Sequence, residues 1–119
     1  MHVVHLTLEQ GATWNVSLTY TDALNVPIAL TPFRAHMQVR RRFGSPVLLD
    51  LSTENGSITL LAGGVIKIRG KARAPARINT TMCVYDLHLI KLVDPDDVTR
   101  VFGGTVSVQR AVTVNPLTV

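Results

Sequence analysis

From residue 13 to residue 21 the chain alternates, with Trp14, Val16, Leu18 and Tyr20 in one phase and Asn15, Ser17, Thr19 and Thr21 in the other. A period of two predicts a strand with one face on a core. Turn chemistry at Asp22 to Asn25, followed by Pro27, leads to a second predicted strand over about 34 to 41, where Ala35, Met37 and Val39 alternate with His36, Gln38 and Arg40. Gly44-Ser45-Pro46 interrupts the pattern. Val47 to Leu51 and Ser57 to Leu61, joined through Glu54-Asn55-Gly56, read as a short hairpin with the glycine at positive φ.

Gly63-Gly64 breaks the chain again before residues 65–69, a strand in which Ile66 and Ile68 share a face. Residues 70–80 have no period and hold Gly70 and Pro75, so a loop is expected there. Alternation resumes from Met82 to Leu92 in a central strand, with Cys83, Tyr85, Leu87 and Leu89 facing one way and Asp86 and His88 the other. Val84 and Ile90 on that second face predict partial cover there. Asp94-Pro95-Asp96-Asp97 is a turn, and residues 98–114 form a long β segment with a bend or bulge at Gly103-Gly104. Val106, Val108, Val112 and Val114 keep one phase, with Arg110 the exception. The pattern predicts an all-β fold, a single antiparallel β-sandwich of about seven strands, with Trp14, Leu18, Met37, Ile66, Ile68, Tyr85 and Leu87 in its core.

Composition agrees. Sixteen Val, six Ile and thirteen Thr are 35 of 119 residues, and such side chains favour pleated sheets over helices. A chain of this length holds one domain and buries enough surface to need no metal or disulfide staple. Its 46% hydrophobic and 17% charged residues argue against long disorder, and no run of about 18 apolar residues is available to span a bilayer. The first residues lack a basic start and the apolar run breaks at Glu9-Gln10, so synthesis in the cytoplasm without a secretory signal is expected. Cys83, the single cysteine, reads as a buried, inert thiol.

Candidate chemistry is sparse. His2, His5, His36 and His88 have no second ligand at metal-site spacing, and Asp94, Asp96 and Asp97 lack the downstream Glu that closes a calcium loop. No Gly-x-Ser-x-Gly elbow is present, and neither glycine pair precedes the Lys-Ser/Thr of a phosphate loop. The expectation is a non-enzymatic chain without catalytic residues, cofactor or metal.

Charge says more. The net charge is +4, and Lys67, Arg69, Lys71, Arg73 and Arg77 stand within eleven residues with no acid among them, while Arg40-Arg41-Arg42 forms a second cluster. A basic patch that is simply solvated is one reading; where a partner binds, an acidic protein neighbour is favoured. Phosphate competes, but stacking aromatics are absent between Phe43 and Tyr85. Residues 1–8 are apolar through Val3, Val4 and Leu6, and are expected to form an arm outside the sandwich that docks onto neighbours, with 9–114 as the domain and 115–119 as a tail.

Five segments in order resemble the small immunoglobulin-like domain of tailed-phage virion proteins, similar to the N-terminal domain of baseplate upper proteins. They are Glu9-Gln10-Gly11; Pro27 to Thr31 leading into Ala35 to Arg40; Leu48 to Leu60 with Ser52-Thr53-Glu54-Asn55-Gly56; Tyr85-Asp86-Leu87; and Val98 to Val108. The resemblance implies an immunoglobulin-like fold and a structural role in the virion, at the tail, baseplate or an adaptor, in symmetric copies that hold neighbouring tail or fibre proteins. It carries no catalytic residues. Head decoration is the alternative within that setting, and a basic nucleic-acid-binding module the alternative outside it. Ile78 to Cys83 behind the basic run, and the end of the chain at Val119 where such proteins continue into a shaft, depart from the pattern.

Overall fold

Residues 2–71 and 80–109 are described by a computed structural model, and among them nine strands and one 3₁₀ turn alternate with short connections. In chain order these are β1 (His2–Val3), β2 (Leu6–Glu9), β3 (Trp14–Thr19), β4 (Phe33–Arg40), β5 (Val47–Ser52), β6 (Ile58–Leu61), the turn Ala62–Gly64, β7 (Val65–Gly70), β8 (Met82–Lys91) and β9 (Val98–Gln109). The larger sheet runs β1, β9, β8, β4, β5, with β2 also on β9; the smaller runs β3, β7, β6. Two layers with β9, β8, β4 and β5 adjacent in one and β3, β7 and β6 in the other make an immunoglobulin-like β-sandwich. The disulfide that bridges the sheets of antibody domains has no counterpart, since Cys83 stands alone.

Alternation decides the core. Trp14, Leu18, Ile58, Ile66 and Ile68 of the smaller sheet face Met37, Val39, Leu49, Leu51, Tyr85, Leu87, Phe102 and Val106 of the larger, all buried in one cluster. Every residue expected in the core is there. Cys83 is fully buried, and burial pushes its thiol up, which keeps it in the unreactive form.

The fold departs from the sequence expectation in four places. The arm expected over residues 1–8 is not free: β1 and β2 pair in parallel with β9, Leu6 and Leu8 are buried, and the sheet is therefore not antiparallel throughout. The edge of β9 offers unpaired N–H and C=O groups, and Leu6 and Leu8 alternate with Thr7 and Glu9, so pairing buries an apolar row and satisfies the backbone together. The count is nine strands among the described residues, not seven.

Val47–Ser52 and Ile58–Leu61 are no hairpin, because β5 pairs with β4 and β6 with β7. Asn55 turns the chain from one layer to the other. Its Oδ1 accepts from Ser52 N and Ser57 N, its Nδ2 donates to Asp50 O, and its own N–H donates to Ser52 Oγ. The same Asn-Gly chemistry that closes hairpins here closes a crossover. The bulge also moves: register shifts between Leu87 and His88, opposite Phe102 and Arg100, so Val101 is the extra residue and Gly103-Gly104 lies just beyond it. Lys71 follows β7, whereas 72–79, Arg110, Val112, Val114 and the tail 115–119 lie outside the described residues.

Tyr85 links core and edge. Its O–H donates to Val4 O at 2.7 Å, and burial pushes the phenol up to about 12. The folded value lies above the unfolded one near 10. The stabilisation is therefore complete below about pH 10 and lost as the pH rises towards about 12. Urea midpoints should fall across that window, and Tyr85→Phe should flatten the fall; an unchanged slope in the variant would refute the assignment.

Candidate functional site

The pleat of the larger sheet sends His36, Gln38 and Arg40 of β4 and Val84, Asp86 and His88 of β8 away from the core, and register places His36 beside His88, Gln38 beside Asp86 and Arg40 beside Val84. Towards the β8–β9 end, this face is a lattice of side-chain pairs. His36 Nε2 meets Asp50 Oδ1 at 2.5 Å, Arg34 Nη1 meets Glu54 at 3.4 Å and His88 Nε2 meets Asp86 at 3.4 Å. All are solvent-exposed pairs, each worth at most about 1 kcal/mol. Beside Arg34, the Glu54 carboxyl is lowered, first by a hydrogen bond from its own backbone and further by the guanidinium.

Towards the β4–β5 end the lattice gives way to a recess of about 380 Å³. Val3, Phe43, Val84 and Gly103 supply its apolar lining, and Arg40 and Arg100 its rim. Gly103 brings no side chain, which leaves space between β1 and β8. Arg40 is held in place: Nη1 donates to Ser45 O at 2.6 Å and Nη2 to Gln38 Oε1 at 2.9 Å. Arg100 reaches Asp86 only at 4.0 Å. In the β4–β5 connection, Gly44 at φ 79 and a bond from Ser45 N to Arg42 O turn the chain so that Phe43 stands 87% exposed next to exposed Arg41 and Arg42. An apolar floor under a cationic rim suits an apolar anchor carried between carboxylates. Among the described residues no group of three or more His, Cys, Asp or Glu is arranged to hold a metal ion.

The expected partner residues scatter. Arg40 is on the rim, with Arg41 and Arg42 beside it, and Val3 lines the recess. Val4 is half-buried and accepts the Tyr85 O–H; Leu6 is buried, so it cannot dock onto a neighbour as expected. Lys67 and Arg69 project from the outer face of the smaller sheet, beside Ser17, Thr59 and Asn15, on strands that contain no Asp or Glu. Lys67 and Arg69 therefore lie on the face of the sandwich opposite Arg40. Arg73 and Arg77 lie outside the described residues. Phe43, Arg100 and Gly103 escaped sequence reasoning; the one signal was Val84, an apolar residue in the polar phase of β8.

No protein-family model matches the chain, and no curated protein matches it either. Among solved structures it is similar to the extracellular domain of the voltage-gated sodium channel beta4 subunit, reported as parallel homodimers with a role in cell-cell adhesion. Identity there is 10% and the TM-score 0.42, over 94% of this chain and 95% of that one. It is also similar to three N-terminal domains of the bacteriophage RB49 highly immunogenic outer capsid protein, at 13% identity and a TM-score of 0.27, over 93% of this chain and 37% of that one. Among the described residues no helix is long and apolar enough to cross a membrane.

Proposed function

We propose that this chain is a non-enzymatic structural protein of a tailed-phage particle, acting in the tail, baseplate or an adaptor, that assembles in copies and attaches neighbouring tail or fibre proteins. The observation that carries this reading is the apolar recess with its arginine rim, a surface equipped to dock protein, set on a sandwich whose sequence resembles phage virion domains. A second contact is favoured by Lys67 and Arg69, which have no carboxylate on their own strand to offset them, and by Lys71 just beyond it; together they suit an acidic neighbour. The virion is the proposed location.

The test is made on purified particles. Mass spectrometry should find the chain at a fixed ratio to tail proteins, and Phe43→Asp should lower its incorporation at least tenfold while the circular dichroism spectrum stays that of a β-sandwich. A fixed ratio to the major capsid protein would point instead to head decoration. Absence from particles, together with DNA affinity that falls steeply with salt, would replace the reading by the nucleic-acid one.

A further inference from the structure

We infer that the recess receives the β8–β9 loop of a second copy of this chain, so that copies join head to tail; this deepens the proposed assembling role and rests on it. The loop carries what the recess lacks. Val93 is 92% exposed and Leu92 59%, and Asp94, Asp96 and Asp97 follow within four residues. The recess offers apolar walls at Val84 and Phe43; Arg40 and Arg100 line it together with one carboxylate, Asp86, and exposed Arg41 and Arg42 precede Phe43 in the chain. Apolar anchor meets apolar floor, and carboxylates meet guanidiniums, which pair with them through a planar fork.

The loop is also rigid. Asp97 N donates to Asp94 O at 3.0 Å, Asp96 N to Asp94 Oδ1 at 3.2 Å and Lys91 N to Asp97 O at 3.1 Å, while Leu92 N is tied to Pro32 O at 3.0 Å. Lys91 Nζ and Asp97 pair at 3.1 Å. A preformed loop loses little entropy on docking. Its volume fits, since 380 Å³ admits a valine side chain with room for Leu92 or the Pro95 ring.

A loop cannot fill the recess of its own copy. Antiparallel register places Phe33 beside Lys91 and Arg40 beside Val84, so the apolar wall at Val84 lies roughly 23 Å at strand rise from the loop end of β8, and only the Arg100 side of the recess comes nearer the loop. Nor does a two-fold pairing of recesses suit the charges, because it would bring the arginines of both copies together. Two different patches on each copy make a heterologous contact, which closes into a ring or runs on as a filament.

Sedimentation velocity on the full chain tests this. The wild type should form oligomers that grow with concentration and weaken at raised salt. Val93→Lys disables the loop and the pair Arg42→Glu with Phe43→Asp disables the recess rim; all three positions are exposed, so folding is spared. Each variant alone should associate at least tenfold more weakly, whereas an equal mixture should give one species the size of a dimer and nothing larger, since one intact recess and one intact loop remain. A monomeric wild type, oligomers in either variant alone, or a mixture that stays monomeric overturns the inference. A chain found in particles that fails these tests sinks this contact alone; one that passes them and is absent from particles sinks the particle role alone.

Discussion

Replacing Gly104 by alanine is expected to destabilise the domain by about 3 kcal/mol and to loosen the N-terminal strands. Gly104 sits at φ 153, where L side chains are strained, and a Cβ there would meet Val4 O at 2.6 Å and Val4 C at 3.2 Å. The obstacle is backbone. Val4 cannot step aside, because its N–H donates to Gly103 O at 3.0 Å and its carbonyl accepts the Tyr85 O–H. Either the turn of β9 relaxes or the link between β1 and β2 lifts away, and the second route also frees His5, whose Nδ1 meets Thr105 Oγ1 at 2.6 Å. Urea denaturation gives the loss of stability, and amide exchange at residues 6–9 should rise well beyond that in β4 and β8. A variant within about 0.5 kcal/mol of the wild type, with protection unchanged, would show that the close approach is not a constraint.

The second large effect is expected at Trp14, where truncation to alanine should cost about 3 to 5 kcal/mol, a large part of the 5 to 15 kcal/mol that a domain of this size holds. The ring is buried beside Gly70, its partner across the β3–β7 ladder. The indole also crosses between layers, with Nε1 donating to Thr7 O at 2.9 Å. Trp14→Phe separates the two contributions, since it keeps most of the apolar bulk and should lose only about 1 kcal/mol for the missing hydrogen bond. At roughly 4 °C per kcal/mol, calorimetry should place the alanine variant 12 to 20 °C below the wild type. Equal melting points for alanine and phenylalanine would mean that packing of the ring contributes little.

What the sequence made legible follows from the period of two. Alternation states which side chains share a face, and so Ile66 with Ile68, or Tyr85 with Leu87, could be assigned to a core without a partner in view. It does not state which strand lies next door. Asn55-Gly56 offers the same hydrogen-bonding turn whether the chain returns beside itself or crosses to the other layer, and only the pairing of β5 with β4 and β6 with β7 decides. Leu6-Thr7-Leu8-Glu9 carries the alternation of a strand, yet its partner β9 lies at the far end of the chain.

The candidate site was less legible for a related reason. Its lining comes from β1, β8, β9 and the β4–β5 connection, which no local window brings together. Charge runs at 40–42 and 67–71 were visible as charge, but the placing of Arg40 on one face and of Lys67 and Arg69 on the other depends on the sandwich. Val84 alone, apolar where a polar residue was due, marked the place.

The parallel pairing of β1 and β2 with β9 bears on how the protein is made. Register joins His2 to Phe102 and Glu9 to Gln109, with about a hundred residues of chain between the partners. Synthesis runs from the N-terminus, so Leu6 and Leu8 leave the ribosome well before β9 and must wait for that strand to cover them. Contacts of such separation are reached slowly, since the intervening chain must first be ordered. Throughout that interval the nascent chain displays an unpaired apolar segment, which is the kind of surface a chaperone holds and the kind that aggregates when none is present.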